Sequence, residues 1–489
     1  MNKDFNLRLV LRIIGSLLLI ESIFILSTCV VSLVYGESDW TYFAGVGAAC
    51  IALGLWLVWL GRDARKIIGK REGSVVVTLV WIVFSLAGLM PFWLSGSIPS
   101  FSDAFFETMS GFTTTSATIL DNIESLSHGM LYWRSLTNWI GGMGIIVISL
   151  ALLPMFGFSG IQLFGAENTS ITKEKLHPKI TGTAKRLCYI YILLTVTEFG
   201  LLMLGGMDWF DALCHAYSTI STGGFSTKQA SIAYWQSSYI QYIIIVFMLL
   251  SGVNFSLYYF MFIGKWKKVS KNEELRFYLI LIAVFSGIVI YSLLDFSKIH
   301  HFSDFEKMFR TGLFQITSLM TSTGFATVDF TQWKPFTWII IIFVMLTGAS
   351  AGSTTGGIKV VRVVIAFKYC YYEFKRMIHP NAVIPITYSG ETLKTDLVTR
   401  VLVFILLYFG VVVAGVAVLT FSGLGFTEAL GGMISCLGCI GIGLGKLGPA
   451  DTFQGISEFA KWFLAFVMLV GRLELFTVLL LFTPAFWKK

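Results

Sequence analysis

Four short stretches of the chain, rich in glycine, threonine and serine, carry the residues that could bind an ion. They are residues 114–118, 222–226, 322–326 and 439–443, which we call polar segments 1 to 4. A dehydrated cation needs a ring of oxygens, and backbone carbonyls can supply it where the chain runs extended with its side chains turned away. Glycine favours this geometry because it accepts positive φ and lets backbones approach closely. The four segments therefore predict a cation site made of backbone oxygens.

The central residue of each polar segment is the third of its five residues. It is glycine in segments 2, 3 and 4, at Gly224, Gly324 and Gly441, but serine in segment 1, at Ser116. Segment 4 parallels the TVGYG pattern of potassium-channel filters position by position. The predicted ligands are the first three residues of each segment: Thr114, Thr115, Ser116, Thr222, Gly223, Gly224, Ser322, Thr323, Gly324, Cys439, Ile440 and Gly441.

Each polar segment follows a stretch that is too short to cross a membrane. These stretches, residues 103–110, 211–218, 311–318 and 428–435, align without a gap, begin with an acid or threonine, and end in serine. An acid or threonine suits the first turn of a helix, and the helix then directs partial negative charge from its C-terminal end towards the segment. Non-helical backbone at membrane depth must be buried in protein or line a cavity. The pattern predicts four re-entrant half-helices around one pathway.

The composition of the chain is that of a membrane protein. Of its 489 residues, 55% are hydrophobic and only 13% are charged, against about 25% charged in soluble proteins. Apolar runs of about 20 residues are long enough to span a bilayer as helices. They predict ten spans, near residues 9–35, 42–60, 74–95, 131–156, 187–206, 238–263, 276–294, 336–368, 397–421 and 459–482.

The charged residues predict how these spans are oriented. Lysine and arginine concentrate in alternate loops, which should be cytoplasmic, and an even number of spans then places both termini in the cytoplasm. The net charge of +8 is thus a sign of topology, and we expect no nucleic-acid partner.

The predicted fold is an all-α integral membrane protein with four tandem helix–pore loop–helix repeats of pseudo-fourfold symmetry, preceded by two N-terminal helices. The boundaries that follow are 1–72 for the two N-terminal helices and a basic loop, 73–180 for repeat 1, 181–270 for repeat 2, 271–385 for repeat 3 and 386–489 for repeat 4.

Two further features lie at predicted membrane depth. Arg472 stands in the middle of the last span, where a charge must face the protein interior or a cavity. An ion pair with Glu198 or another buried acid is the alternative interpretation. Residues 347–357 contain only glycine, alanine, serine and threonine. That run is a poor helix and predicts an irregular loop below the polar segments, unless the small residues serve close helix packing.

Long motifs relate the chain to a known family. They are residues 139–147 (WIGGMGIIV), 351–359 (AGSTTGGIK), 379–383 (HPNAV) and 471–477 (GRLELFT). With these motifs the chain resembles, over nearly its whole length, the superfamily of K⁺ transporters that includes the TrkH, TrkG and KtrB membrane subunits and the plant HKT proteins.

This resemblance implies a K⁺ uptake subunit, channel-like or a symporter, in a bacterial inner membrane. It implies that K⁺ binds at the polar segments and that the chain carries no organic cofactor. It also implies a homodimer and a cytosolic RCK-type nucleotide-binding regulatory partner similar to TrkA. Gating would fall to Arg472 and to the intramembrane loop, through Gly348, Gly352, Gly356, Gly357 and Lys359.

Ser116 departs from the family pattern, which has glycine at this position. In the plant relatives a serine there accompanies Na⁺ conduction, so a Na⁺-permeable or weakly selective pathway is one alternative. An inverted-repeat secondary transporter is another, although repeats with an even number of spans should share one orientation. A membrane enzyme would need clustered acids or a nucleophile with its base, and the sequence has only isolated charges and no nucleotide-binding motif. We therefore predict that the protein is not an enzyme.

Overall fold

Helices make up nearly all of the computed structural model, which describes residues 5–64, 69–151, 176–294, 301–381 and 384–487. The α-helices are α1 (Leu7–Val34), α2 (Trp40–Leu60), α3 (Lys70–Gly88), α4 (Met90–Leu94), α5 (Phe101–Phe112), α6 (His128–Ala151), α7 (Leu176–Leu204), α8 (Trp209–Ile220), α9 (Ser238–Ser251), α10 (Phe255–Phe262), α11 (Trp266–Ser270), α12 (Glu273–Leu293), α13 (Phe302–Met320), α14 (Pro335–Thr347), α15 (Val360–Ile378), α16 (Thr395–Phe421), α17 (Phe426–Gly438), α18 (Glu458–Arg472), α19 (Phe476–Leu479) and α20 (Pro484–Trp487).

Short elements complete the described structure. A two-residue antiparallel hairpin joins β1 (Thr387–Tyr388) to β2 (Glu391–Thr392) between α15 and α16. The 3₁₀ helices are Ile123–Ser125, Ser231–Tyr234, Phe330–Gln332, Gly445–Leu447 and Leu480–Phe482.

The long helices are those of a membrane protein, as the composition predicts. Within the described residues, six helices are long and apolar enough to cross a membrane, or eight if each sharply bent helix pair counts as one span. The surface of α16 carries fully apolar side chains such as Leu406, Val413 and Phe421, which are 74%, 70% and 92% exposed. Such a surface suits lipid rather than water. The predicted total of ten spans stays a prediction, and the end of the span predicted at 131–156 lies outside the described residues.

Three predicted spans are broken rather than straight. The axes of α9 and α10 differ by 93°, and a bend of 111° follows α18, where Glu474 and Leu475 both have positive φ. Residues 348–359 separate α14 from α15, and Gly348 begins this break with a φ of 69°. Two consecutive left-handed residues, or one at a helix end, stop the helical hydrogen-bond series.

Helices α5, α8, α13 and α17 lie where the half-helices are predicted; we call them the short helices, although α13 has 19 residues. Three of them begin within two residues of the predicted start, but α13 begins nine residues earlier than residue 311. The helix α8 packs on α6, α13 on α9, α17 on α14, and α5 on α18, so that each short helix contacts a long or broken helix of its neighbour. These contacts close the four short helices into a ring at the centre of the protein.

Candidate functional site

The polar segments are attached to the short helices in the same way. The second residue of each segment donates its backbone N–H to the carbonyl of the serine that ends the predicted half-helix: Thr115 to Ser110 (2.8 Å), Gly223 to Ser218 (2.8 Å), Thr323 to Ser318 (2.9 Å) and Ile440 to Ser435 (2.9 Å). These N–H groups are bonded to the helix ends. The carbonyl oxygens of the polar segments take no part in those bonds and can point in another direction.

Along the first three residues of each polar segment, residues with positive, left-handed φ alternate with a residue that does not have positive φ. The first residue has positive φ in all four segments, at 52° in Thr114, 55° in Thr222, 51° in Ser322 and 53° in Cys439. The central residue has positive φ as well, at 57° in Ser116, 92° in Gly224, 77° in Gly324 and 90° in Gly441. This alternation turns successive carbonyls to one side of the chain, whereas in a β-strand they point to opposite sides.

The central glycines pack directly against the backbone of the next segment. A Cβ added to Gly224 would lie 1.8 Å from the Thr323 carbonyl oxygen, and one added to Gly324 would lie 1.9 Å from that of Ile440. At Gly441 the distance to the Thr115 oxygen would be 2.2 Å. Segments 2, 3, 4 and 1 are therefore neighbours in this order, and the carbonyl of a second residue faces each central glycine.

The central residues also differ from the two residues before them in how exposed they are. Ser116, Gly224, Gly324 and Gly441 are each half-buried, while the two residues before each of them are buried. The four central residues are thus more accessible than the two residues before them, and the carbonyl oxygens lie next to them. The structure brings together all twelve predicted ligands, and their chemistry, uncharged oxygens at close spacing, suits a monovalent cation.

Segment 1 differs because its central residue has a side chain. The Asn138 side chain of α6 donates from Nδ2 to the Ser116 hydroxyl at 2.9 Å. The same nitrogen lies close to segment 2, since a Cβ added to Gly223 would be 2.3 Å from it. A polar side chain therefore stands between segments 1 and 2.

The loop at 348–359 lies against the polar segments. Its Gly356 donates N–H to the Ser322 hydroxyl (2.8 Å), and the hydroxyls of Thr222 and Thr354 are 3.1 Å apart. A Cβ on Gly356 would lie 2.1 Å from the Gly438 carbonyl oxygen. The loop thus contacts segments 2 and 3 at their first residues and the helix end before segment 4.

The predicted gating residues shape and hold this loop. Gly348, Gly352 and Gly357 have φ of 69°, 73° and 80°, and Lys359, with φ of 78°, precedes α15. Lys359 is buried, and its ammonium group donates to the Thr355 carbonyl and, at 3.0 Å, to the Thr355 hydroxyl.

Arg472 is buried at the end of α18 and reaches the loop. Its Nη1 donates to the Thr354 carbonyl at 2.6 Å, and its Nη2 donates to the Gly141 carbonyl of α6 at 2.9 Å. Among the residues that the structure describes, neither Glu198 nor another acid forms an ion pair with Arg472, whose guanidinium binds backbone carbonyls instead. Glu474 has a partner elsewhere, the Arg362 guanidinium at 2.5 Å.

Sequence reasoning missed Glu107 and Arg134, which form a buried ion pair beside segments 1 and 2, with Arg134 Nε 2.7 Å from Glu107 Oε1. Two opposite charges within apolar stretches of one repeat were the available signal, since charges at membrane depth usually pair.

The fold and the site together define an integral membrane protein of the transporter class. A family model described as "TrkH: Cation transport protein" matches residues 41–489. The chain therefore belongs to the TrkH family of cation transport proteins, which confirms the predicted family, and it is not an enzyme.

Curated relatives match over the whole chain. It is 37% identical to the Trk system potassium uptake protein TrkH of Escherichia coli K12, with 99% of this chain and 100% of that protein covered. It is 33% identical to the Trk system potassium uptake protein TrkG of the same organism, with 99% of each covered.

A solved structure matches as well. The crystal structure of the potassium transporter TrkH from Vibrio parahaemolyticus superimposes with a TM-score of 0.89 at 34% identity, covering 99% of this chain and 100% of that chain. This similarity confirms the predicted all-α membrane fold.

Proposed function

We propose that the chain is the ion-translocating subunit of a K⁺ uptake system and that K⁺ passes through the ring of polar segments. The observation that carries the proposal is the fourfold alternation of left-handed residues, with the N–H of each second residue held by a helix-end serine. Rings of backbone carbonyls replace the hydration shell of K⁺ in this way. The relatives named as potassium uptake proteins support K⁺ as the ion.

The test is ion flux into liposomes that contain the purified protein. Wild-type protein should carry K⁺ and Rb⁺ but little Na⁺, and protein-free liposomes give the background. Equal permeation of Na⁺ and K⁺ would overturn the K⁺ assignment and favour the second candidate, a weakly selective or Na⁺-permeable pathway. Ser116 supports that candidate, because segment 1 has a side chain where segments 2 to 4 have glycine.

The loop at 348–359 and Arg472 form the proposed gate. The loop contacts segments 2 and 3, and Arg472 ties it to α6 through the Thr354 and Gly141 carbonyls. A loop held there obstructs the path of an ion that leaves the ring, so releasing it should increase flux.

Arg472→Gln removes the two bonds to the carbonyls and should raise the basal Rb⁺ flux by about tenfold, the size expected of charged hydrogen bonds. Arg310→Gln is the matched control. Arg310 is also buried, but it bonds to Gln241 and Glu306 away from the loop. Unchanged flux in Arg472→Gln, or an equal rise in the control, would contradict the gate.

The remaining features of the proposal concern the assembly. The protein would act as a homodimer in a bacterial inner membrane with both termini in the cytoplasm; the extreme ends, 1–4 and 488–489, lie outside the described residues. The relatives' designation as parts of a "Trk system" supports a partner, which we propose to be a cytosolic RCK-type nucleotide-binding subunit similar to TrkA. Adding such a subunit to the proteoliposomes should make the flux depend on nucleotide.

A further inference from the structure

The ion pair between Glu107 of α5 and Arg134 of α6 is almost fully buried, with the two residues 1% and 2% exposed. Every polar group of the carboxylate is used. Besides Arg134 Nε, Oε1 accepts a hydrogen bond from the Thr118 hydroxyl at 2.9 Å, and Oε2 accepts one from the Ile119 backbone N–H at 2.9 Å. Glu107 therefore fixes the chain at the point where it leaves polar segment 1.

The guanidinium of Arg134 fixes polar segment 2. Its Nη1 donates to the Ser226 carbonyl at 2.9 Å, and its Cζ lies 3.6 Å from the centre of the Phe225 ring, a cation–π distance. Phe225 and Ser226 directly follow the central Gly224. The ion pair thus links the ends of segments 1 and 2 from outside the ring.

Other junctions of the ring are built differently. Between segments 2 and 3, 3 and 4, and 4 and 1, a central glycine lies against a backbone carbonyl. Between segments 1 and 2, the central residue is Ser116, held by Asn138, which is one helical turn from Arg134 on α6. The residues that align with Glu107 in the other three short helices are His215, Gln315 and Gly432, so the carboxylate belongs to the first alone.

Stability alone does not explain such a pair. The cost of removing two charges from water offsets most of their attraction, and apolar residues of similar size often serve as well. A planar guanidinium that binds a carboxylate and a carbonyl at once does define distances and angles. The pair is therefore suited to setting the geometry of the junction.

We infer that Glu107 and Arg134 are positioning residues that set the spacing of polar segments 1 and 2, and thereby the discrimination between K⁺ and Na⁺ at Ser116. The inference rests on the proposed function, because it needs the ring to be the ion pathway. Neither residue need touch the ion; Glu107 acts through the Thr118 hydroxyl and the Ile119 backbone, and Arg134 acts through the Phe225 ring and the Ser226 backbone.

The test compares two double variants by the K⁺/Na⁺ permeability ratio in liposomes. Glu107→Gln with Arg134→Gln removes both charges, so that no unpaired charge stays buried. It should lower the ratio about tenfold, the effect of losing a charged hydrogen bond. Asp103→Asn with Lys461→Gln is the matched control, since it removes a largely buried pair (2.6 Å) that joins the same helix α5 to α18, with Lys461 buried and Asp103 partly exposed. The control should stay within about twofold of wild type.

Arg134→Lys is the milder second variant. Lysine keeps a charge beside Glu107 but lacks the planar fork that also reaches Ser226, so the ratio should fall about threefold. Size-exclusion chromatography reports folding. If the double variant fails to fold, the permeability ratio of Arg134→Lys tests the inference in its place. A ratio within twofold of wild type in every folded variant would overturn the inference while wild-type K⁺ selectivity keeps the proposed function. A wild type without K⁺ selectivity would overturn the proposed function first.

Discussion

Polar segments 1 and 4 are neighbours in the ring and have the same backbone pattern, but they are held in place by different means. In segment 4, Gly441 lies against the Thr115 carbonyl, where an added Cβ would be 2.2 Å from the oxygen. In segment 1, the central residue has a side chain, Ser116 is bonded to Asn138, and Glu107, paired with Arg134, accepts the Ile119 N–H just after the segment.

This difference shows that the same backbone conformation can be held in two ways, by the absence of a side chain or by polar contacts to a side chain that is present. Segment 4 has its geometry because no side chain fits at its centre. Segment 1 adopts the same sign of φ with a serine, at a cost of about 1 kcal/mol for a left-handed residue other than glycine, and polar side chains of α5 and α6 offset that cost. We expect ion selectivity to be fixed in segment 4 and adjustable in segment 1.

Gly441→Ser should have the largest effect, because it gives segment 4 the residue of segment 1 without its supporting side chains. The new Cβ would collide with the Thr115 oxygen at a φ of 90°. Strain of about 3 kcal/mol corresponds to a loss of about 100-fold in Rb⁺ flux into liposomes.

Gly410→Ser in α16 is the control for Gly441→Ser, since an added Cβ there meets nothing within 4 Å and the flux should stay as in wild type. A Gly441→Ser protein that keeps half of the wild-type flux would show that the two segments are interchangeable.

Ser116→Gly makes the opposite exchange and should have a moderate effect. It removes the left-handed strain and gives the ring four central glycines. The K⁺/Na⁺ permeability ratio should rise about fivefold, equivalent to roughly 1 kcal/mol. A ratio that stays the same would mean that the serine junction is as selective as the glycine junctions, and a lower ratio would contradict the expectation outright.

Much of this site could be predicted from the chain itself. The four aligned stretches that end in Ser110, Ser218, Ser318 and Ser435 identify the short helices, because only a re-entrant helix suits an apolar stretch that is too short to span. The structure adds the reason for the shared serine position, whose carbonyl accepts the N–H of the second residue of each polar segment.

Other features depend on contacts between distant parts of the chain and were not predictable. The bend after α18 falls at Glu474 and Leu475, two residues that favour helices, and neither of them is a glycine or a proline. Arg134 reaches Ser226 across 92 positions, and no local pattern reports such a contact. The break between α14 and α15 was predicted from the glycines of residues 347–357. The residues that this loop contacts in the folded protein were not predicted.

Asn138→Ala should have the smallest effect and is best measured in two backgrounds. In the wild type it removes the hydrogen bond to the Ser116 hydroxyl, a loss of about 1 kcal/mol that should lower the K⁺/Na⁺ permeability ratio by a factor of about three to five. In Ser116→Gly there is no hydroxyl to hold, so the same change should have at most half that effect on a logarithmic scale.

Thr137→Val is the control, because the Thr137 hydroxyl bonds to the Arg134 carbonyl within α6. Equal effects of Asn138→Ala in both backgrounds would mean that Asn138 acts on segment 2 through Gly223, and that Ser116 needs no support to hold its backbone.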